Sequence, residues 1–164
     1  EELAASESSE TSRLVDFESN WKVAAEDSVF RDSQDAVADK LYFQPAMTSS
    51  DTIGLQSALG RAVIYDTIIQ HGDGDDSDGL PALIQETSES GKSPGQGGDE
   101  KVWVVTFISI RRAHLAHAAD EDTRAAWAES VGRCDVLGKI ATQDNYDLAG
   151  PIVVAEAGFD ATIP

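Results

Sequence analysis

The stretch LGRAVIYDTIIQHGDGD, residues 59–75, is the most informative part of the chain for the fold, because it combines an apolar helical stripe with a charge. The spacing of its apolar residues predicts a helix that stops at Gly72, with Ser50 or Asp51 as its N-cap. Asp66 falls on this stripe, so we expect its carboxylate to face the core. The stripe comprises Leu55, Ala58, Leu59, Ala62, Asp66 and Ile69.

Two later segments place an arginine among their inward apolar residues. The segment VWVVTFISI, residues 102–110, reads as a strand by its β-branched residues, but a helical stripe that carries Arg111 also fits it. A last helix, predicted from residue 122 or 123 to about residue 141, carries Arg133. The stripe of Arg111 comprises Val104, Ile108 and Leu115, and the stripe of Arg133 comprises Ala126, Ser130, Leu137 and Ile140.

The three inward charges predict a buried ion cluster. An unpaired buried charge costs several kcal/mol, so one acid and two arginines on three helices are expected to meet. Arginine suits this role because its planar fork bridges carboxylates and stays ionised. We therefore predict an Arg111–Asp66–Arg133 cluster whose surplus positive charge attracts a further carboxylate. Clusters of this kind also serve only to fasten helices, so a structural and a functional interpretation are both open.

The remaining chain is also predicted to be mainly α. Helical spacing predicts one long helix or two consecutive helices from Ser19 that end before Pro45. A short helix is predicted from Gly79 to about Thr87, and Asp99 is a candidate N-cap. A polar turn, a loop and an extended segment are predicted at residues 73–79, 91–98 and 152–157.

Charge is the strongest compositional feature, since 30 acidic residues stand against 12 basic ones for a net charge of −18. A field of this sign repels nucleic acid and anionic membranes and attracts polycations. We therefore predict neither nucleic acid nor a membrane as a partner. The charge fits a cationic substrate, and it also fits a solubility or salt-adapted surface.

No cofactor and no metal site is predicted. Cys134 is the only cysteine, so the 164 residues form no internal disulfide, and its helical position predicts a small core residue. The turn DGDDSDG, residues 73–79, begins like a calcium loop, but its glycines and Ile84 depart from the loop pattern. His114 and His117 have the spacing of two metal ligands without a third, so a surface or boundary role is expected.

His71 ends the predicted helix beside a glycine-lined turn, five residues after Asp66. The carboxyl end of a helix favours the cationic form of histidine. On the residues alone, a helix-capping role and a ligand contact are both open.

Five strings together resemble the inverting chitosanases, glycoside hydrolase family forty-six. They are WKVAAEDSVF (21–30), DKLYFQPAM (39–47), LGRAVIYDTIIQHGDGD (59–75), SPGQGGDE (93–100) and NYDLAGPI (145–152). Their order and spacing agree with the family from about Phe17 to Val154. The resemblance implies a mainly α, lysozyme-like, two-lobed chitosanase fold, incomplete at the N-terminus, whose cleft binds several glucosamine units. It also implies hydrolysis of the β-1,4 links of chitosan with inversion, by a Glu as general acid and an Asp as general base.

The resemblance assigns roles to residues of this chain. A network that supports the general acid is matched by Asp66, Arg111 and Arg133. Substrate-contacting positions are matched by His71, Glu129 and Asp135. Ala125 departs from the pattern, because it stands one helical turn before Glu129 where the family has a second acid. The helices that carry the catalytic Glu and Asp are not matched by any part of this sequence, so no catalytic residue is assigned and both are expected upstream of Glu1.

These observations predict a fragment of an endo-acting chitosanase that supplies the substrate-cleft walls and the Arg–Asp network and is inactive alone. The alternative is a non-catalytic chitosan-binding or structural helical module. The expected partner is a chitosan polymer or oligosaccharide, and the full-length protein is expected to be monomeric and secreted. Residues 1–15 are expected to form a flexible acidic tail or linker, and residues 16–164 the C-terminal helical region of the chitosanase.

Overall fold

The computed structural model describes residues 11, 14–155, 158 and 160–164, and these residues are mainly α-helical, as predicted. The helices are α1 Phe17–Ala24, α2 Ser28–Ala38, α3 Gln44–Ile53, α4 Ala58–His71, α5 Leu80–Ser90, α6 Glu100–Ala116, α7 Glu121–Ala128 and α8 Val131–Thr142. A π-helical turn, Asp39–Phe43, precedes α3, and a 3-10 turn, Pro94–Gln96, precedes α6. Strands β1, Ile152–Val154, and β2, Ala161–Ile163, pair antiparallel. Over these described ranges, no helix has both the length and the apolar character that crossing a membrane requires.

The chain divides into two compact units, Glu1–Lys40 and Leu41–Pro164. In the first unit, the ring of Trp21 lies 5.6 Å from that of Phe17 and 5.2 Å from that of Phe30. Two consecutive helices replace the single long one that the spacing also allowed, because the Asp27 side chain caps α2 by accepting from the amide of Val29. The predicted tail, residues 1–15, lies largely outside the described residues and stays a prediction.

Helix α6 is the centre of the second unit, since it contacts α4, α5, α7 and α8. The segment that also read as a strand is therefore helical, because packing on several sides outweighs the strand preference of its β-branched residues. Asp99 caps this helix as predicted, its side chain accepting from the amide of Val102. The residues that α6 buries are Trp103, Val104, Phe107, Ile108, Arg111 and Leu115.

The start and the inward face of α4 differ from the prediction. Ser57 is the N-cap and accepts from the amide of Gly60, whereas Ser50 and Asp51 lie inside α3. Ile69, placed on the inward stripe, is 45% exposed. Apolar residues almost surround this helix, so periodicity leaves its orientation undetermined and packing on the neighbouring helices decides it. The buried residues of α4 are Leu59, Gly60, Val63, Ile64, Thr67, Ile68 and His71.

The predicted last helix is two helices. The amide of Ser130 donates to the carbonyl of Trp127 at 2.8 Å, a tighter turn than an α-helix makes, and α7 ends there. Helix α8 then begins at Val131 with Arg133 in its first turn. Ala126, placed on the inward stripe, is exposed because α7 buries none of its residues fully.

Candidate functional site

The three predicted charges come together at one point of the second unit. Arg111 Nη1 lies 2.6 Å from Asp66 Oδ2, and Arg111 Nη2 donates to the Asp66 backbone carbonyl at 3.5 Å. Arg133 approaches from α8, with Nη2 on Asp66 Oδ1 and Nε donating to Oδ2 at 3.3 Å. Helices α4, α6 and α8 are thus joined through a single carboxylate.

Burial and charge act in opposite directions on this carboxylate. Burial raises the pKa of Asp66, but hydrogen bonds and charge from Arg133 and Arg111 outweigh it, so the pKa lies below the ordinary 3.8. Asp66 is consequently ionised at any pH near neutrality. The Arg111 side chain is fully buried, whereas those of Asp66 and Arg133 are 26% and 33% exposed, so one edge of the cluster reaches the surface.

The cluster has unused capacity for an acceptor. Two guanidinium groups face one carboxylate, which leaves one surplus positive charge. Among the described residues, Arg111 Nε has no hydrogen-bond partner, and Nη1 approaches Asp66 closely but without the angle of a hydrogen bond. A buried donor without an acceptor is costly, so a further anion or acceptor at this place would be strongly held.

A groove of about 350 Å³ begins at the exposed edge of the cluster. Asp66 and Arg133 lie at one end, and the walls are aliphatic side chains of α8 and of the two strands. These wall residues are Val136, Leu137, Val154, Ala161 and Ile163. The groove therefore combines an apolar surface with an anion-attracting end.

His71 lies at the end of α4, as predicted, but it is not in the cationic form that a helix end favours. The residue is 6% exposed, and burial together with the nearby Arg111 charge lowers the pKa of its imidazole to about 4. Its Nδ1 donates to the carbonyl of Asp78 at 2.8 Å, because a carbonyl only accepts. His71 is thus neutral, with Nε2 a buried acceptor that has no partner among the described residues. Burial therefore has a larger effect on the pKa of His71 than the helix dipole, which favours the cationic form.

Two neighbours of His71, the aromatic Trp127 and the acidic Asp78, were not predicted from the sequence. The Trp127 ring of α7 meets the His71 ring edge-on at 4.7 Å between centroids. Asp78 is 8% exposed, although its segment reads as a solvated turn and its preceding residues are indeed exposed. The sequence offered one signal for the burial of Asp78. His114 follows Arg111 by one helical turn and so lies near the buried face of α6, where it contacts Asp78.

The other two predicted substrate contacts lie away from the cluster. Glu129 is exposed and caps the carboxyl end of α7. Asp135 pairs with Arg112, with 2.7 Å between Asp135 Oδ1 and Arg112 Nε, and both side chains are about half exposed. The structure therefore places Asp135 in an ion pair outside the Asp66 cluster, and the substrate role of both acids stays a prediction.

The two histidines considered as metal ligands have different surroundings. His114 lies between the carboxylates of Asp78 and Glu86, while His117 is exposed. Cys134 is buried, as its helical position predicted, and burial raises the pKa of its thiol. Within the described part of the chain, no three His, Cys, Asp or Glu side chains are grouped to hold a metal ion.

Comparison with known proteins gives a consistent result. The family model described as glycosyl hydrolase family 46 matches residues 2–152. A chitosanase of Bacillus subtilis strain 168 is 54% identical over 93% of this chain. A chitosanase variant from Bacillus subtilis MY002 in complex with 6 GlcN units has a TM-score of 0.87 at 51% identity over 99% of the chain. The Gynuella sunshinyii chitosanase in complex with chitotetraose has a TM-score of 0.87 at 43% identity over 99% of the chain.

The chain corresponds to part of each of these proteins. It spans 55% of the length of the Bacillus subtilis strain 168 chitosanase. It spans 68% of each of the two solved structures.

Proposed function

Because the chain belongs to glycosyl hydrolase family 46, we propose that the full-length protein is an endo-acting chitosanase. It hydrolyses β-1,4 links between glucosamine units with inversion. The general acid Glu and the general base Asp lie upstream of Glu1 in this proposal, and no residue of 1–164 carries either role. An inverting mechanism needs the two carboxyl groups roughly 6.5–9.5 Å apart, so that a water molecule fits between the base and the sugar.

The observation that carries the proposal is the unused positive charge at Arg111. A general acid becomes a carboxylate when it protonates the leaving oxygen. A preorganised positive group nearby stabilises that developing anion without further reorganisation. Asp66 neutralises part of the charge and fixes both guanidinium groups, so the general acid meets a defined donor set. Asp66, Arg111 and Arg133 thus position and stabilise the acid rather than react themselves.

The substrate is chitosan because its ammonium groups complement an acidic protein. Glu129 and Asp135 supply carboxylates for those ammonium groups, and neutral His71 is the third proposed sugar contact, although its Nε2 is buried among the described residues. The related structures that contain GlcN units or chitotetraose support this substrate class. Chitosan is a polymer, and a polymer of this size is degraded outside the cell. We therefore propose that the protein is secreted and that it acts as a monomer.

The test is hydrolysis by the full-length protein and by two arginine variants. We expect reducing ends to be released from chitosan but not from fully acetylated chitin, and the first product anomer to be the inverted one by proton NMR. Arg133→Ala should lower kcat/KM about 100-fold, because it displaces the acid's supporting group. Arg61→Ala is the matched control, since Arg61 lies on α4 but contacts Met47 and the exposed Asp51 of α3 instead of Asp66.

Two results would contradict the proposal at different levels. No hydrolysis of chitosan by the full-length protein would favour the alternative of a non-catalytic chitosan-binding or structural module. If the Arg133→Ala and Arg61→Ala variants hydrolyse chitosan at the same rate, the protein is still a chitosanase, but the proposed supporting role of the network is wrong. Residues 1–164 produced alone should release no reducing ends.

A further inference from the structure

Asp78 connects three elements of the second unit through both its main chain and its side chain. Its carboxylate Oδ2 accepts from the amide of Ala119 at 2.8 Å, and Oδ1 contacts His114 Nδ1 at 2.7 Å. Its backbone carbonyl accepts from His71 at 2.8 Å. The turn that presents it is closed by the Asp78 amide, which donates to Asp76 at 3.0 Å.

These contacts hold both ends of α7. Ala119 immediately precedes the N-cap of this helix, Asp120. Near the other end of α7, Trp127 packs on the ring of His71, which Asp78 holds in place. Helix α7 has no fully buried residue of its own, so apolar burial does little to fix its position. Its position is fixed instead by the hydrogen bond at Ala119 and the ring contact at Trp127.

His114 is placed so that only its cationic form satisfies its neighbours. Its Nδ1 lies 2.7 Å from Asp78 Oδ1 and its Nε2 lies 2.9 Å from Glu86 Oε2. A neutral imidazole has one N–H and one lone pair, so it would turn a lone pair toward one of the two carboxylates. The doubly protonated ring donates to both of them.

The charged and titratable groups near His114 come from several elements. Asp78 belongs to the turn before α5 and Glu86 to α5, while His71 ends α4. On the side of α7, Arg124 donates to the carbonyls of Ala118 and Ala119 at 2.7 and 3.1 Å. Burial lowers the pKa of His114, but the hydrogen bonds that the ring donates to Asp78 and Glu86, together with their charge, outweigh it and raise the pKa above the ordinary 6.5.

We propose that Asp78 is a positioning residue for α7, the helix that presents Glu129, and that doubly protonated His114 holds Asp78 in the position this requires. The role of α7 in binding sugar rests on the proposed function. When His114 loses its proton, the ion pair with Asp78 becomes a hydrogen bond between a neutral imidazole and a carboxylate, and Glu86 loses its hydrogen bond from the ring. The start of α7 is then held less firmly.

The test follows hydrogen exchange of the Ala119 amide by NMR in the full-length protein, without substrate, from pH 5 to 8.5. After correction for intrinsic exchange, we expect protection to fall about three- to tenfold as His114 deprotonates, the loss of one charge-assisted contact. His114→Gln should remove this step. Glu86→Gln should keep it but move its midpoint to lower pH, since one of the two stabilising carboxylates is gone.

His117→Gln is the matched control, because this exposed histidine lies one turn further along the same chain segment and should leave the step unchanged. The proposal is wrong if protection of Ala119 shows no step in the unmodified protein, or if His114→Gln retains one. Asp78→Asn should raise KM for chitosan severalfold while kcat changes less than twofold. A protein that cleaves no chitosan would remove the proposed function, whereas the exchange experiment would still decide the role of Asp78.

Discussion

Arg111 shows how a buried charge is retained at a single residue. Its side chain is fully enclosed, and only the carboxylate and the carbonyl of Asp66 face it among the described residues. Replacing a buried ion pair as a whole by apolar residues is often neutral for stability, whereas removing one of its partners alone is costly. Under the proposed function, the free donors of this buried arginine have their acceptor in the general acid.

His71 gives a residue-scale prediction about pH. The folded-state pKa of about 4 lies below the unfolded value of 6.5, so the unfolded chain binds more protons between these values. The stabilising contribution is present above pH 6.5 and is lost as the pH falls toward 4, by up to about 3 kcal/mol. His71→Asn keeps a donor for the Asp78 carbonyl but does not titrate, so this loss should be absent from its unfolding free energy.

The measurement is urea unfolding at several pH values, compared between variants so that the other titrating groups cancel. His117→Asn replaces an exposed histidine and should follow the unmodified protein. An identical pH dependence in His71→Asn and in the unmodified protein would show that His71 is not held neutral by burial.

At the scale of elements, the carboxyl end of α3 and the loop before α6 touch through glycines. Gly54 ends α3 with φ of 83°, and a Cβ on it would lie 2.4 Å from the backbone nitrogen of Gly95. Gly97 has a similar φ of 86°, but a Cβ there would meet nothing within 4 Å. Both glycines thus have the left-handed conformation, but a side chain would collide with neighbouring backbone only at Gly54.

This pair predicts two different costs for the same substitution. Gly97→Ala should lower the free energy of unfolding by about 1 kcal/mol, the cost of the left-handed conformation for a residue with a Cβ. Gly54→Ala should lower it by about 3 kcal/mol or more, because backbone atoms must also separate. Urea unfolding measures both. Equal losses would contradict the close contact between Gly54 and the backbone of Gly95.

At the scale of the whole molecule, the net charge of −18 is the dominant feature. Such a field attracts a cationic polymer from a distance and is screened by salt, with a Debye length of about 10 Å at 0.1 M and about 3 Å at 1 M. The effect on affinity and on association rate therefore depends on ionic strength.

If the proposed function holds, raising NaCl from 50 mM to 500 mM should weaken binding of a glucosamine oligosaccharide to the full-length protein about tenfold. The fully acetylated oligosaccharide of equal length is the control, since it carries no ammonium groups. Isothermal titration calorimetry measures both. A salt dependence that is the same for the two sugars would show that the acidity serves solubility and not substrate attraction.

Several features of the whole fold were predictable because their signals are local. Caps such as Asp99, stop signals such as Gly72 and the helical spacing act within one turn of chain. The pairing of Asp66 with Arg111 and Arg133 was also predictable, since a charge on an apolar stripe needs a partner of opposite sign. The break between α7 and α8 was not, because the apolar and polar residues on both sides of Ser130 continue one helical pattern.

The amino-acid sequence was enough to predict the helical class, the family and the charges that pair between α4, α6 and α8. Packing in the folded chain was needed to establish which side of α4 faces inward, that His71 is neutral, and that Asp78 is buried while residues 73–77 of the same turn are exposed. The difference lies in how far apart in the sequence the interacting residues are. Periodicity and capping depend on adjacent residues, whereas burial and protonation depend on side chains that folding brings together from α4, α5, α6 and α7.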